Sequence, residues 1–343
     1  MLLSTLTLLA SACGAALASP TNLPRAAGLP LPSRTIYQLD DTVPGSWFEN
    51  IALRSNGDLL VTMLQPFAAV YAIQKPLSGS PKASIINFDN SNGLLGISET
   101  SPDVFAVSGG TFSALAVPVE GTMAMWTLDL TGRKPTTQLV TKMPEAVFLN
   151  GVITVPGCST PYVLVADSGL SLVWRVNMKT GKYDVAAEVP EMQSVPTASL
   201  PLGVNGVKIR NGYLYFTNSN LAAIYKLAID KTGVAVKGAK AELVAKLSAP
   251  FVDDFDIDAK GNFWVATNMN STVEYAKPGS TGIIVVGKPT ELTVGGDTSL
   301  AFGGKTKFDK NIVYTVTGGA QSRPVNGTIT EPAKIVAIDR TGF

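Results

Sequence analysis

The sequence of 343 residues contains no histidine, and this absence restricts the possible chemistry more than any other feature of the composition. Without histidine the chain cannot form a Ser-His-Asp or Cys-His catalytic site, a zinc site with imidazole ligands or a histidine general base. Any catalysis must therefore use carboxylates, amides, hydroxyls, lysine, arginine, aromatic rings or a metal held by oxygen ligands.

Charge is also scarce, since charged residues make up 15% of the chain and hydrophobic residues 45%. Such a chain can bury a large core and does not have the composition of a disordered protein. The 27 basic and 26 acidic residues leave a net charge of +1. Nucleic-acid-binding proteins usually carry an excess or a stripe of basic residues, and this chain has neither. The composition therefore argues against nucleic acid as a partner.

The first 18 residues are apolar and end in Ala-Leu-Ala, a pattern that predicts a secretory signal peptide and hence a secreted protein. This stretch is short and rich in serine and glycine for a membrane span, although an anchor or a retained tail is the alternative. Cleavage would remove Cys13 and leave Cys158 as the one remaining cysteine, which excludes an intramolecular disulfide. Sequons at Asn270 and Asn326 indicate glycosylation on the same route.

Beyond a Pro- and Ala-rich lead-in at residues 19–34, one pattern of short apolar strands and polar turns recurs six times. Typical copies contain ENIALRSNGDLLVTM, VNGVKIRNGYLYFTN and DDFDIDAKGNFWVAT. The copies are about 45 to 60 residues apart, the spacing of propeller blades with loop insertions. Each copy supplies about four strands, and one blade alone cannot bury both of its faces.

The repeat predicts one all-β domain over residues 35–343, a six-bladed β-propeller with four antiparallel strands per blade and a central channel. An irregular β-sandwich is the alternative. The segment from Thr35 to Leu39 is predicted to be the outer strand of the last blade, because this pairing would close the ring and remove an exposed edge.

Four oxygen-bearing side chains occur at or near the start of an innermost strand, where a propeller directs residues toward its axis: Glu49, Asn150, Asn205 and Asp253. They belong to copies one, three, four and five. Two carboxylates and two amides suit a hard cation such as Ca²⁺. The alternative is that these polar residues only tie one blade to the next through backbone hydrogen bonds.

The stretches VNGVKIRNGYLYFTNS and DDFDIDAKGNFWVAT resemble the SMP-30/gluconolactonase/LRE-like family over nearly the whole mature chain. The resemblance implies that Glu49, Asn150, Asn205 and Asp253 hold a divalent metal and act in catalysis. Family lactonases use that metal as a Lewis acid on a lactone carbonyl. One departure is that Asp254 and Phe255 stand where the family has glycine after the blade-five aspartate.

The residues expected around the channel mouth are mostly apolar, which favours a pocket for a bulky apolar ligand over a sugar-acid site. The apolar candidates for substrate binding are Trp47, Phe48, Met63, Phe67, Phe112, Phe148 and Trp264. The hydrogen-bonding candidates are Gln65, Ser108, Thr111, Asn150, Asn205, Asn218, Asn268 and Arg323. For each aromatic residue the alternative is a place in the core.

The GVNG and DDF-x-ID-x-x-GN patterns resemble a fungal secreted branch of the family that includes hetero-Diels–Alderases of tropolone–sesquiterpenoid biosynthesis. The resemblance implies loss of water from a hydroxymethyl tropolone and cycloaddition of the resulting quinone methide onto a humulene-type alkene. This chemistry needs no histidine and no covalent nucleophile. It requires an apolar cavity that orients both partners and hydrogen bonds to a developing oxygen charge.

Three functions remain open from the sequence. The first is a biosynthetic hetero-Diels–Alderase that acts on small apolar, terpenoid-like molecules without an organic cofactor. The second is a Ca²⁺-dependent lactonase or esterase, which predicts that the four oxygen ligands converge on one metal. The third is a secreted propeller that only binds a small molecule or a protein, which predicts a blocked channel and an exposed apolar patch elsewhere.

Overall fold

The computed structural model describes residues 28–343, in which nearly all of the regular structure is β-strand. The predicted signal peptide and the lead-in up to residue 27 lie outside the described residues. Two short 3₁₀ turns, Pro190–Met192 and Asn268–Asn270, are the helical elements of the described part. No helix among residues 28–343 is long and apolar enough to cross a membrane.

Six four-stranded antiparallel sheets form the blades of a six-bladed propeller, as the repeat predicted. From the channel outwards, blade 1 contains β2 (Trp47–Leu53), β3 (Leu59–Gln65), β4 (Ala69–Gln74) and β5 (Lys82–Asn87). Blade 2 contains β6 (Gly93–Ser101), β7 (Val104–Gly110), β10 (Ala124–Asp129) and β11 (Thr136–Lys142), with the hairpin β8 (Phe112–Ala114) and β9 (Val117–Pro118) inserted. Blade 3 contains β12 (Leu149–Thr154), β13 (Tyr162–Asp167), β14 (Leu172–Asn177) and β15 (Tyr183–Ala187).

The second half of the ring repeats this order. Blade 4 contains β16 (Val204–Arg210), β17 (Tyr213–Asn218), β18 (Ala223–Ala228) and β19 (Glu242–Lys246). Blade 5 contains β20 (Phe255–Ile257), β21 (Phe263–Ala266), β22 (Thr272–Ala276) and β23 (Ile283–Gly287). Blade 6 contains β24 (Asp297–Phe302), β25 (Ile312–Thr317), β26 (Lys334–Asp339) and, as its outer strand, β1 (Ser33–Gln38).

The last blade is built from both ends of the chain, as predicted. Strand β1 pairs antiparallel with β26 over its length, so the ring closes through backbone hydrogen bonds. The strand begins at Ser33, slightly before the predicted boundary at Thr35. Leu31 is already buried, and its backbone N–H donates to the carbonyl of Val285 in blade 5 at 2.8 Å. Packing of the propeller therefore includes the end of the predicted lead-in.

The core lies in the seams between neighbouring blades. The middle strands bury both faces, so β3 (LLVTMLQ) is buried at every position except its last, and simple alternation of buried and exposed residues is lost there. The outer strand β5, in contrast, is exposed at all positions except one. A strand that packs on two neighbours needs apolar side chains on both faces.

Hydroxyl side chains connect neighbouring inner strands around the channel. The hydroxyl of Ser108 accepts from the N–H of Gly96 at 2.9 Å and donates to the carbonyl of Asn150 in blade 3 at 3.2 Å. Thr217 makes the same bridge between Gly206 and Asp253, at 2.9 and 2.8 Å. The candidate Ser108 is therefore a link between blades and lies away from the cavity. Side chains of the second strand, rather than the candidate asparagines, make these blade-to-blade ties.

Candidate active site

The structure brings the four oxygen-bearing candidates to one cavity at the end of the propeller where the inner strands begin. Glu49 lies in β2, Asn150 in β12, Asn205 in β16 and Asp253 directly before β20, and all four line a cavity of about 340 Å³. Each is less than a tenth exposed. Their convergence follows from the repeat, because equivalent positions of different blades face the same axis.

Loops whose cavity-lining residues the sequence analysis did not name form most of the apolar wall. They are the connection before blade 4, the segment before blade 5, the β8–β9 hairpin and the turns of blades 5 and 6. The cavity-lining residues of these loops are Leu115, Ala116, Ser199, Leu200, Leu202, Phe251, Met269, Gln321 and Ser322. Leu64, near the end of β3, completes this wall. Apolar residues inside otherwise polar loops, as in SALAV and SLPLG, were the signal that could have identified them.

The two carboxyl groups of the cavity are buried close enough to affect each other. Burial and the nearby charge of Asp253 hold the pKa of Glu49 well above its usual value. Burial raises the pKa of Asp253 to about 7, although the Asn268 amide, which donates to its Oδ2 at 2.7 Å, acts in the opposite direction. The indole N–H of Trp47 donates to Oε2 of Glu49. The cavity can therefore hold a proton on a positioned carboxyl group near neutral pH.

A second polar layer lies behind this pair and joins four blades. Lys208 donates to Oδ1 of Asp254 at 2.8 Å, and Asn50 donates to its Oδ2 at 3.0 Å. The hydroxyl of Ser299 also donates to Oδ2, at 3.1 Å. Asp254 is thus the centre of a hydrogen-bonded floor that links blades 1, 4, 5 and 6. The charge of Lys208 compensates that of the buried Asp254.

The donor set of the cavity fits a hard cation. Among residues 28–343 no group of three or more Asp, Glu, His or Cys side chains could hold a metal ion, so amide oxygens would have to complete a site. Asn205 supplies such an oxygen, because its buried Oδ1 has no hydrogen-bond partner in the described structure while its Nδ2 donates to Ser219 at 3.0 Å. Two carboxylates and two amide oxygens are ligands that Ca²⁺ accepts.

Several of the predicted substrate-binding residues belong to this region. Trp47, Phe148 and Asn268 line the cavity. Phe112 packs edge-to-face on Phe148, with ring centroids 6.0 Å apart, and supports that wall from behind. The exposed Arg323 directly follows the cavity-lining Ser322.

Other candidates lie elsewhere. Phe48, Met63 and Phe67 pack in the seam between blades 1 and 6, and Trp264 packs in the seam between blades 5 and 6. These apolar residues lie in seams because strands in the blades bury both faces, so an apolar side chain need not face the cavity. Asn218 donates to the carbonyls of Glu191 and Gln193 and so holds the loop before blade 4. Three further candidates do not line the cavity: Gln65, Thr111 and Ser108. Gln65 lies opposite Trp47 in the β2–β3 ladder, and the N–H of Thr111 donates to Thr122.

The two sequons differ in their surroundings. Asn326 is exposed in a turn between β25 and β26. Asn270 is half-buried, donates to the hydroxyl of Thr272 at 3.2 Å and follows the cavity-lining Met269. Asn326 therefore offers the more accessible acceptor for a glycan.

A buried carboxyl group near the site predicts how stability depends on pH. Burial holds the pKa of Asp297 well above its usual value, even though the N–H of Thr267 donates to its Oδ2 at 3.1 Å. Oδ1 has no partner among the described residues. Because the folded protein holds this proton more tightly than the unfolded chain, its contribution to stability is complete in acid. That contribution is lost as the pH rises toward the folded-state pKa.

We expect the free energy of unfolding to fall between pH 5 and pH 8, and Asp297→Asn to reduce the slope by up to about 1.4 kcal/mol per pH unit. Urea unfolding of chelator-treated protein at several pH values measures this slope. Asp129, whose pKa is lowered by hydrogen bonds from Thr131, provides the matched control, since Asp129→Asn should leave the slope in this range unchanged. If the free energy of unfolding depended on pH in the same way for the wild type and for Asp297→Asn, the raised pKa could not belong to Asp297.

Two curated proteins match this chain along almost all of its length. The "Putative hetero-Diels-Alderase" of Phoma sp is 32% identical over 346 residues, which cover 94% of this chain and 96% of that protein. The "Putative hetero-Diels-Alderase asR5" of Sarocladium schorii is 30% identical, with 92% and 85% covered. No protein-family model matches the chain.

A solved structure supports the fold independently. The gluconolactonase XC5397 of Xanthomonas campestris superposes with a TM-score of 0.58 at 11% identity, and the match covers 90% of this chain and 89% of that protein. At this identity the likeness shows the fold alone. It agrees with the gluconolactonase resemblance that the sequence patterns indicated.

Proposed function

This chain belongs to the hetero-Diels–Alderase family, and we propose that its central cavity directs the cycloaddition of a tropolone-derived quinone methide and a humulene-type sesquiterpene. The observation that carries the proposal is the division of the cavity into an apolar wall and one polar end. Leu115, Leu200 and Phe251 belong to the wall, and Glu49 and Asp253 to the polar end. A hydrocarbon and an oxygenated ring require these two surroundings side by side.

The first step would be loss of water from a hydroxymethyl tropolone. A protonated carboxyl of the Glu49–Asp253 pair gives its proton to the departing hydroxyl, and the C–O bond breaks to release water. The ring hydroxyl loses its own proton to the resulting carboxylate, which restores the pair and leaves a neutral quinone methide. Burial supports this role because it favours the protonated form of both carboxyl groups.

The second step would need no proton transfer. The ring oxygen and the exocyclic carbon of the quinone methide add across one alkene of the sesquiterpene, forming one C–O and one C–C bond. The cavity contributes by holding the two partners in contact, and positioning of this kind can supply several kcal/mol. Asn150, Asn205 and Asn268 line the cavity, and their amide groups would hydrogen-bond the tropolone oxygens at the polar end.

The direct test is product formation by the purified protein. A hydroxymethyl tropolone and humulene are supplied together, and the adduct is quantified by chromatography and mass spectrometry. We expect a single stereoisomer to form faster than in buffer. Racemic adduct at the buffer rate, together with hydrolysis of lactones, would overturn the proposal.

A substitution that adds a bulky side chain to the apolar wall should weaken the binding of humulene, the larger of the two substrates. Leu115 lies in the β8–β9 hairpin, is half-buried and lines the cavity. Leu115→Trp is expected to raise the KM for humulene by about tenfold, because the larger ring takes part of the space that the hydrocarbon needs. Steady-state kinetics with humulene as the varied substrate measures this effect.

The same hairpin provides the control. Val117 is 49% exposed and does not line the cavity, so Val117→Trp should leave the KM for humulene near the wild-type value. If both variants changed the KM equally, the hairpin would act through its conformation and not as part of the wall.

A calcium-dependent lactonase or esterase is the second candidate, and the observation that favours it is the oxygen donor set. Glu49, Asn150, Asn205 and Asp253 would hold the ion, which when bound would polarise a carbonyl oxygen. Metal content of purified protein and hydrolysis of a lactone and aryl-ester panel, with and without a chelator, test this candidate. About one Ca²⁺ per chain and chelator-sensitive hydrolysis would favour it over the cycloaddition.

A further inference from the structure

A second cavity lies at the opposite end of the propeller, in the seam between the first and last blades; we call it the seam cavity. Its volume is about 880 Å³, within the range of small-molecule sites. The walls come from β1, β25 and β26 and from the turns that follow β2, β4 and β24. They include Pro76, Leu77, Phe308, Ile312, Tyr314 and Ala337. The seam cavity shares no lining residue with the central cavity.

Two buried polar atoms of lining residues lack a hydrogen-bond partner among residues 28–343: the hydroxyl of Tyr314 and Oδ2 of Asp309. The Asp309 carboxyl is held in place from its other side, since the backbone N–H and the hydroxyl of Thr306 both donate to Oδ1 at 2.8 Å. Tyr314 is 0% exposed and packs in the same seam. An unpaired buried polar group costs about 1–3 kcal/mol, so both atoms favour an occupant that pairs them.

The charges around these atoms define what the occupant must offer. Burial raises the pKa of Tyr314 above its usual value, the charge of Asp309 adds to this, and Arg34 opposes it. Tyr314 therefore remains a hydrogen-bond donor at neutral pH, whereas a carboxylate oxygen of Asp309 is an acceptor. A ligand hydroxyl group matches this pair chemically, because it donates one hydrogen bond and accepts another. The charged lining residues Arg34, Lys75, Asp309 and Asp339 balance, so a neutral ligand is favoured.

We propose that the seam cavity binds a hydrophobic alcohol or phenol whose hydroxyl donates to Asp309 and accepts from Tyr314. The apolar body of the ligand lies against Leu77, Ile312 and Ala337. The proposal is independent of the reaction in the central cavity, because the two cavities have separate walls at opposite ends of the inner strands. The seam cavity would give the propeller a second small-molecule site at the joint where its ring closes.

The test compares two probes of similar shape, 1-naphthol and 1-methylnaphthalene, by calorimetric titration of the full chain. We expect 1-naphthol to bind at least about tenfold more tightly, because only its hydroxyl can pair the two atoms. Tyr314→Phe and Asp309→Asn should each remove most of this preference and leave the affinity for 1-methylnaphthalene unchanged. Tyr314→Phe removes only an unpaired hydroxyl, so its melting temperature without ligand should equal or exceed that of the wild type.

Leu115→Trp provides the control for binding in the central cavity, and the preference for 1-naphthol should persist in this variant. Three results would each overturn the proposal: equal affinities of the wild type for the two probes, a preference that Leu115→Trp abolishes, or a preference that survives both seam substitutions. The first would mean that the hydroxyl of the ligand pairs neither atom. The second would place the phenol in the central cavity.

Discussion

Replacing Glu49 by glutamine is expected to lower the rate of adduct formation from a hydroxymethyl tropolone and humulene by about 100-fold or more, the usual contribution of a positioned acid. Glutamine retains the shape of the side chain and can still accept from the Trp47 indole, but it has no acidic proton to give. The initial rate of adduct formation at neutral pH measures the loss. Thermal unfolding of the same sample shows whether the variant remains folded.

A second precursor separates proton donation from positioning. When the leaving hydroxyl is replaced by acetate, departure no longer depends on a strong acid, so Glu49→Gln should recover most of the wild-type rate. The exposed Glu120, in the loop that follows β9, is the matched control, and Glu120→Gln should behave as the wild type with both precursors. Equal losses with both precursors would show that Glu49 does not act by protonating the leaving group.

Replacing Gly96 by alanine is expected to destabilise the propeller by about 3 kcal/mol, because the inner strands of blades 2 and 3 approach each other at this residue. A Cβ at Gly96 would clash with the carbonyl oxygen of Asn150 and would lie 2.7 Å from the backbone nitrogen of Val152. Backbone atoms cannot move aside as the end of a flexible side chain can. The blades would have to separate, which also breaks the bridge that Ser108 makes between them.

Urea unfolding of the Gly96→Ala variant measures this cost. Gly79→Ala is the control, since Gly79 has nothing within 4 Å of the position of a new Cβ and its φ lies outside the left-handed region. Gly79→Ala should change the free energy of unfolding by less than about 0.5 kcal/mol. A Gly96→Ala variant as stable as the wild type would show that the inner strands can separate without loss.

The separation of these strands would also move the site. Asn150 belongs to the strand that Gly96 contacts, and its side chain lines the central cavity. We therefore expect Gly96→Ala to lower the rate of adduct formation even under conditions in which the variant is fully folded. The close approach of inner strands thus contributes both to stability and to the position of the polar end.

The repeat was enough to predict the blades because a blade is made of hairpins, and hairpins depend on residues close together in the chain. The same regularity located Glu49, Asn150, Asn205 and Asp253, since equivalent positions of different blades must face one axis. The closing strand could also be predicted, because an apolar segment that precedes the first copy can complete a blade with a missing outer strand.

The cavity wall could not be predicted in this way. Leu115, Leu200, Phe251 and Met269 lie in loops without a repeat, and their meeting depends on how separate blades pack. Hydrophobicity was also a poor guide to the side of a strand that faces the site, since the middle strands bury both faces. Phe48 and Trp264 are as apolar as Trp47 and Phe148, yet they lie in seams between blades.

The sequence by itself excluded chemistry that needs histidine and determined the number of blades and the four polar residues at the channel. The absence of histidine, the local strand pattern and the fixed repeat can all be recognised in the sequence without knowledge of contacts between distant residues. Only the tertiary structure decided which apolar residues line the cavity, how Lys208 and Asp254 close its floor and why Gly96 has no side chain. Each of these depends on atoms from different blades, and the distance between such atoms is set by packing around the ring rather than by local sequence.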